Sequence, residues 1–519
     1  MESSQDVAPV RLAELVASLS LGIDLGFGQP MEHVLRECLI ALRIAEQLGL
    51  DEVERGIIYY AALLVNVGCH SDAHEQAKWF GDDIALKATK YDYEPFSIRD
   101  GIATLRLLGS GSTPLHRLRT GFEFALTGWR QVNTMASNHA ALARELGEQL
   151  GLPEAVLDAL AGSYERWDGK GWPGVLAGDA IPIAARVIQL ADFVEVAHRA
   201  GGIEAAIAVA QRRRGKQFDP QIVATMCLDA AKIFAELDDA GSWDTVIDAE
   251  PTLAIALSPQ QCDDALLAIS RFVDLKSPFT IGHSTAVAEL AAAAVRHMGL
   301  ADDDAQLLYR AGLVHDFGRL GVSNSIWDKR SPLGAGEWER VRLHPYFTER
   351  ILQQSPTLEP LARIAVQHCE RLDGSGYPRG LVGSAISKHA RILGAANAYQ
   401  AMREPRPCRE PLTAAAAADE IRNDVKAGRL DTDAAEAVLA AAGHRVAKRR
   451  DGPGGLTARE VEVLRLVARG LSNKDVARQL VISPKTAGNH IEHIYTKIGT
   501  SNRAAASLFA MRHGLLPEE

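Results

Sequence analysis

The chain has 519 residues, 47% hydrophobic and 24% charged, an ordinary globular composition that excludes wholesale disorder, collagen-like repetition and a small disulfide scaffold. Its net charge of −10 argues against a protein that coats nucleic acid, but the charge is uneven: from Leu456 onward nine Lys or Arg stand against six Asp or Glu, and before it 47 stand against 60. A small basic terminus on a large acidic body points to one local nucleic-acid contact.

No apolar run approaches the roughly 18 residues of a membrane helix, and the first residues carry no basic-then-apolar leader pattern. The six cysteines form no C-x-x-C pair. A cytoplasmic protein with reduced thiols and no membrane partner is expected.

Residues 1–443 are rich in Ala, Leu and Glu at helical spacing, as in Val34-Leu35-Cys38-Leu39-Ala41 and Ala286-Val287-Leu290-Ala291, and are expected to be nearly all α. The run Ala414–Ala418 reads as helix, given alanine's propensity. This region carries an internal repeat. His33 lies 32 residues before Val65-Asn66, and His283 lies 32 before His315-Asp316. His139 lies 24 before Ser163 and His344 lies 24 before His368; Asp192 and Asn397 each follow 29 later. Glu165-Arg166-Trp167-Asp168-Gly169-Lys170-Gly171-Trp172-Pro173 matches Glu370-Arg371-Leu372-Asp373-Gly374-Ser375-Gly376-Tyr377-Pro378, and the first copy alone holds an insertion between Asn66 and His139. Two homologous lobes, 1–245 and 246–443, are expected.

Residues 444–455, a basic stretch followed by Gly-Pro-Gly-Gly, read as a linker. From 456 to 519 the pattern is a helix-turn-helix. Thr457 and Glu460 form a capping box before a first helix. Asn473 to Leu480 is a short second helix. Ser483-Pro484 starts a third, whose Ala487, Ile491, Ile494 and Ile498 form an apolar stripe opposite a polar face.

In the second lobe His283, His315, Asp316, His344, His368 and Cys369 make a metal-type set. An adjacent His-Asp pair in an apolar helix needs a partner to be tolerable there, and a divalent ion takes imidazole and carboxylate together. Together with Asp274-Leu275-Lys276-Ser277-Pro278-Phe279-Thr280-Ile281-Gly282-His283 and Asp373-Gly374-Ser375-Gly376-Tyr377-Pro378, the set resembles the HD-GYP family of phosphohydrolases that cleave cyclic dinucleotides. The resemblance spans residues 260–405. It implies an all-α fold and a divalent metal (iron, manganese or zinc) held by His283, His315, Asp316, His344 and His368, with Asp316 and Arg319 as the catalytic pair.

Four positions depart from the family pattern. Cys369 replaces a histidine, Asn397 an aspartate, Arg319 a lysine, and Phe279 the carboxylate of three-metal members. Arginine still binds phosphate but is no proton donor, and Cys369 as a ligand favours zinc. Partial metal occupancy and weak or absent hydrolysis are therefore expected. The first lobe, with Val65-Asn66, Ser163 and Tyr164 at ligand positions, reads as a pseudo-enzyme. Its Cys69-His70-Ser71-Asp72-Ala73-His74 is either a substitute cluster or, as expected here, a polar, solvated helix end.

Residues 456–513 resemble the LuxR-type DNA-binding domain through Leu456-Thr457-Ala458-Arg459-Glu460, Gly470-Leu471-Ser472-Asn473-Lys474, Ser483-Pro484-Lys485-Thr486 and His490 to Ile498. That resemblance implies a four-helix unit whose third helix enters the major groove of double-stranded DNA and whose fourth supports a homodimer. Lys485, Asn489 and His493 would meet bases or nearby phosphates, and Thr486, Lys497 and Arg503 would fix phosphates. No β/α receiver region precedes the linker. The expected protein is thus a transcription regulator whose tandem body senses a cyclic dinucleotide or nucleotide. The alternative is an active phosphodiesterase with an attached DNA-binding domain.

Overall fold

The structure, a computed structural model, describes residues 10–91, 121–124, 129–237, 242–251, 254–445 and 453–516. It divides into two compact units, 1–444 and 445–519. Most of the expected linker, residues 446–452, and much of the first-copy insertion lie outside the described residues. All six cysteines are free. Among the described residues no helix is long and apolar enough to cross a membrane.

Among the described residues the larger unit is mainly helical, with one short antiparallel strand pair, Val10–Arg11 against Ala256–Leu257, in which Val10 lies opposite Leu257. The pair is too short to leave a period-2 signal in the sequence, and the all-α class expected from it holds. The helix that follows it, Leu12–Gly26, is buried nearly all round, as its unbroken apolar composition requires. It runs beneath the second copy's motif, where Gly22 and Gly26 pack against Leu320.

The repeat is visible element by element. His33–Gln47 and His283–His297 are both 15-residue helices that begin on the histidine, after Glu32 and Gly282 in the left-handed conformation. The helices Glu52–Leu64 and Asp302–Val314 both have 13 residues and end just before Val65-Asn66 and His315-Asp316. The His-Asp pair therefore lies at a helix end, not within a helix, and Phe317–Gly321 continues as a 3₁₀ turn. Helix termination exposes the groups that a side chain or ion must satisfy. In the Gly-rich motif, Glu370 accepts from the Arg379 and Leu381 backbone amides, and Glu165 accepts from those of Gly174, Val175 and Leu176. In both copies a carboxylate folds the loop back on itself. Ala414–Lys426 is a helix, with Thr413 as its cap.

The segment Cys69 to His74 overturns the expectation of a solvated helix end. His70 is buried, and its Nε2 donates to the Phe272 carbonyl at 2.5 Å. His74 Nδ1 lies 2.8 Å from Asp328. Nearby, fully buried Asp83 accepts from Ser323 Oγ and the Asn324 amide at 2.7 and 2.8 Å and pairs with Lys87 and Lys276. Two of the residues expected to face water, His70 and His74, thus bond across the joint between the two copies. Periodicity shows where polar groups cluster, not which surface they meet.

In the smaller unit the helices Ala458–Ala468, Asn473–Leu480, Pro484–Ile498 and Arg503–Arg512 enclose Leu456, Val463, Leu464, Val476, Ile494 and Ala506, among others. The Thr457–Glu460 capping box forms, and Ser483 caps the third helix with Pro484 at its first turn.

Burial lowers His70 to about 4, against about 6.5 in an unfolded chain. The unfolded chain then binds the extra proton, so this stability is complete above pH 6.5 and is lost as pH falls toward 4. The difference amounts to roughly 3 kcal/mol. Urea unfolding at pH 7 and pH 4.5 should show wild-type protein losing more stability on acidification than His70→Gln, whose amide can still donate to Phe272.

Candidate functional site

Five side chains from four segments converge in the second copy. His283 opens its helix, His315 and Asp316 follow the end of the next, His344 opens Pro345's helix, and His368 ends the segment before the Gly-rich loop. All five are buried. Gly318 permits the convergence, since a Cβ there would collide with the His344 carbonyl oxygen.

The imidazoles are oriented from behind. Nδ1 of His315, His344 and His368 donates to the carbonyl three residues earlier, of Gly312, Val341 and Ala365, at 2.6–2.7 Å. His283 Nδ1 donates to Glu404 at 2.8 Å. Because carbonyl and carboxylate oxygens only accept, the proton of each neutral ring sits on Nδ1 and the Nε2 lone pair faces inward.

Asp316 stands between two pairs of these atoms. Its Oδ2 is 3.8 Å from His283 Nε2 and 3.5 Å from His315 Nε2. Its Oδ1 is 3.6 Å from both His344 and His368 Nε2. His344 and His368 Nε2 are 3.3 Å apart, Asn397 Oδ1 is 3.1 Å from His283 Nε2, and Cys369 Sγ is 3.9 Å from His344 Nε2. Burial alone would raise the Asp316 carboxyl, but the positive charge around it, the Arg319 guanidinium included, holds it well below the usual range. Burial lowers His315 to about 3, keeping it neutral.

These atoms fit a metal. Acceptor atoms that repel one another at 3.1–3.8 Å have the spacing of ligands sharing an ion at about 2.0–2.1 Å. His315 Nε2 is buried with no hydrogen-bond partner among the described residues. Two groups can each hold an ion: His283, His315 and Asp316, and His344, His368 and Cys369. The structure thus brings together all six expected metal-set residues.

A cavity of about 240 Å³ opens over this cluster. The Arg319 guanidinium lies 3.9 Å from the centre of the Trp327 ring and 3.4 Å from Asp316 Oδ2. Arg406, held by Glu404 and the Phe279 carbonyl, brings a second cation to the same wall. Glu404, Arg406 and Trp327 escaped the sequence reading, since no repeat spacing marks them.

The first copy does not rebuild this cluster. His33 and Asp192 meet, with Nε2 3.3 Å from Oδ1, but His139 turns to Asp72 at 2.7 Å and Cys69 bonds the Tyr164 hydroxyl at 2.8 Å. Burial opposes charge on His139, yet Cys69 and Asp72 raise it to about 9. Cys69 and Asp72 thus join their own lobe's centre, while His70 and His74 face the other copy.

In the smaller unit Lys485, Thr486, Asn489 and His493 are exposed along the third helix. Thr486 Oγ1 also bonds Ser483 Oγ at 2.7 Å. Lys497, expected to fix phosphate, pairs with Glu460 of the capping box at 2.8 Å. Arg503 donates to the Leu471 carbonyl at 2.6 Å, which ties the fourth helix to the turn before the second.

Comparison with known proteins follows this division. A family model described as HD domain matches residues 131–222 and 268–434, and one described as bacterial regulatory proteins, luxR family, matches 455–510. The chain is 32% identical over 413 residues to a 3'3'-cGAMP-specific phosphodiesterase 3 of Vibrio cholerae, covering 79% of this chain and 89% of that one. A cyclic di-GMP phosphodiesterase response regulator of Xanthomonas campestris is 30% identical over 30% of this chain and 41% of its own. A solved cyclic GMP-AMP specific phosphodiesterase of V. cholerae superposes with a TM-score of 0.59 at 27% identity, covering 85% of this chain and 99% of that one.

Glu404 orients the ring of His283 and fixes its tautomer, so Glu404→Gln is expected to weaken divalent-metal binding by about 10–100-fold. Titration against a competing chelator measures this directly.

Proposed function

This chain belongs to the HD-domain family, in its HD-GYP branch, and ends in a LuxR-family unit; on that premise we propose that it is a DNA-binding regulator whose second lobe binds a cyclic dinucleotide at a metal centre and hydrolyses it slowly. The observation that carries the reading is the buried cluster of four inward-facing Nε2 atoms around Asp316, beside two arginines. His283, His315, Asp316, His344, His368 and Cys369 would hold the divalent metal, and Asn397 stands beside His283. The domain division is two HD lobes, 1–245 and 246–443, a linker at 444–455 and the DNA-reading unit at 456–519.

When bound, a divalent ion polarises a phosphoryl oxygen and makes a water nucleophilic at neutral pH. The chain's own residues do the rest. Arg319 and Arg406 receive the phosphodiester's negative charge, as planar donors suited to phosphate. Trp327 holds the Arg319 guanidinium against its ring face. Arg319 stays charged and cannot protonate a leaving alkoxide. Asn397 contributes a neutral amide oxygen in place of a carboxylate, which weakens metal retention. These two substitutions slow turnover while leaving ligand recognition in place.

The relatives' names put 3'3'-cGAMP and cyclic di-GMP first among ligands to screen. Calorimetry on the full-length, manganese-loaded or iron-loaded protein should show saturable binding that His315→Ala removes. Turnover should be slow and should rise together with metal content in Asn397→Asp with Cys369→His. The second reading, a fast phosphodiesterase, is favoured by the completeness of the histidine set. Rapid wild-type turnover, lost in His315→Ala and not improved by the paired change, would establish it and sink the regulator reading.

At the smaller unit, Asn489 and His493 read double-stranded DNA, Lys485 and Thr486 meet its phosphates, and Lys497 and Arg503 combine phosphate contact with their internal bonds. Asn489→Ala should cost about 1–3 kcal/mol at a preferred site and relax its sequence. Lys485→Ala should weaken all DNA alike and reduce the salt slope by about one. Footprinting that finds no preferred site for the intact protein would overturn DNA reading.

A further inference from the structure

The first lobe repeats the second lobe's helices but meets its charge differently. By the repeat, Asn66 stands where Asp316 does and Asp192 where Asn397 does. Between them sits the ammonium of Lys90, from the turn after Asp83–Ala88. Its Nζ is 2.7 Å from Asp192 Oδ2 and 3.2 Å from Asn66 Oδ1. The rings of Phe27, Tyr91 and Phe193 surround it at 5.3–5.9 Å, and the Tyr91 hydroxyl donates to Asp192 Oδ1 at 2.7 Å.

A second, independent feature lies beside it. Glu37, one helical turn after His33, is fully buried, and neither carboxyl oxygen has a hydrogen-bond partner among the described residues. One ligand atom from each of His33, Glu37 and Asp192 lies within 4.8 Å of the others. A buried, unpartnered carboxyl beside an imidazole and a second carboxylate is a costly arrangement with no evident structural purpose. It is also the donor set a divalent cation takes.

We propose that the Lys90 ammonium is the resident cation of the first lobe, occupying the place between Asn66 and Asp192, and that it keeps closed a latent divalent-metal site formed by His33, Glu37 and Asp192. Two facts favour the lysine over an ion. A divalent ion ligated by Asp192 would bring like charge close to an ammonium already bonded to that carboxylate. And Asn66, unlike Asp316, adds no negative charge to offset it. The first lobe therefore keeps its fold without metal, and the metal dependence of the protein is confined to the second lobe.

The test counts metal in the full-length protein carrying His315→Ala, so that a failure of the second-lobe reading cannot be mistaken for a failure here. After equilibration with zinc or manganese and desalting, Asp192→Asn should leave the metal content unchanged. Lys90→Met should add about one equivalent per chain, and adding Glu37→Gln should remove it again. An equivalent lost on Asp192→Asn alone would show that an ion, not the lysine, resides there, and a folded Lys90→Met that takes up none would rule out the latent site. If Lys90→Met is too unstable to load, Lys90→Met with Asp192→Asn decides: it should recover most of the lost Tm, because the carboxylate that needed the ammonium is gone. No recovery would overturn the proposal.

Discussion

One buried carboxylate organises the larger unit. Asp316 faces two histidine pairs, one with each oxygen, in a place where an unpaired charge is costly. Four inward lone pairs and one carboxylate are mutually repulsive unless positive charge lies among them. The surrounding fold resists their relaxation. Backbone carbonyls fix three rings and Glu404 the fourth. Gly318 brings the His344 helix close, and the apolar Leu12–Gly26 helix supports the 3₁₀ turn from below. Rigidity of this kind is what a metal centre needs to select its geometry.

Much of this site was legible because a repeat samples the same geometry twice. Matched separations of 32, 24 and 29 residues mark these positions, and the resemblance to the HD-GYP motifs implies a ligand role for them. The supporting groups were not legible. The carbonyls that orient the rings have no side-chain signature, and Glu404 lies in an unrepeated stretch after the helix Lys388–Arg403. The Cys69–His74 segment misled because polar composition implies solvent only when no second surface covers it. The helix-turn-helix was read from local rules alone, its caps at Thr457 and Ser483 and its apolar stripe. Local rules did not show that Lys497 already has a partner in Glu460.

The two lobes have lost complementary halves of one charge set. The first keeps the carboxylate at Asp192 and has an amide at Asn66; the second keeps Asp316 and has an amide at Asn397. Each amide still points an oxygen at its site, toward Lys90 Nζ in one and His283 Nε2 in the other. Shape is retained where charge is not, as expected if both pockets must stay packed while only one must bind.

The joint between the copies connects the first lobe to the wall of the second lobe's cavity. Asp328 lines the cavity over the histidine cluster. Ser277 holds one of its oxygens at 2.7 Å, and the other meets Asn324 and His74, each at 2.8 Å. His74 belongs to the first copy, on the helix that leads through Asp83 to the turn bearing Lys90. Asp83 in turn caps the stretch beginning at Ser323, only a few residues beyond Arg319. A change in the first lobe's packing thus meets the wall of the second lobe's pocket through direct hydrogen bonds. Through these bonds the first lobe helps to hold the wall of the second lobe's cavity in place.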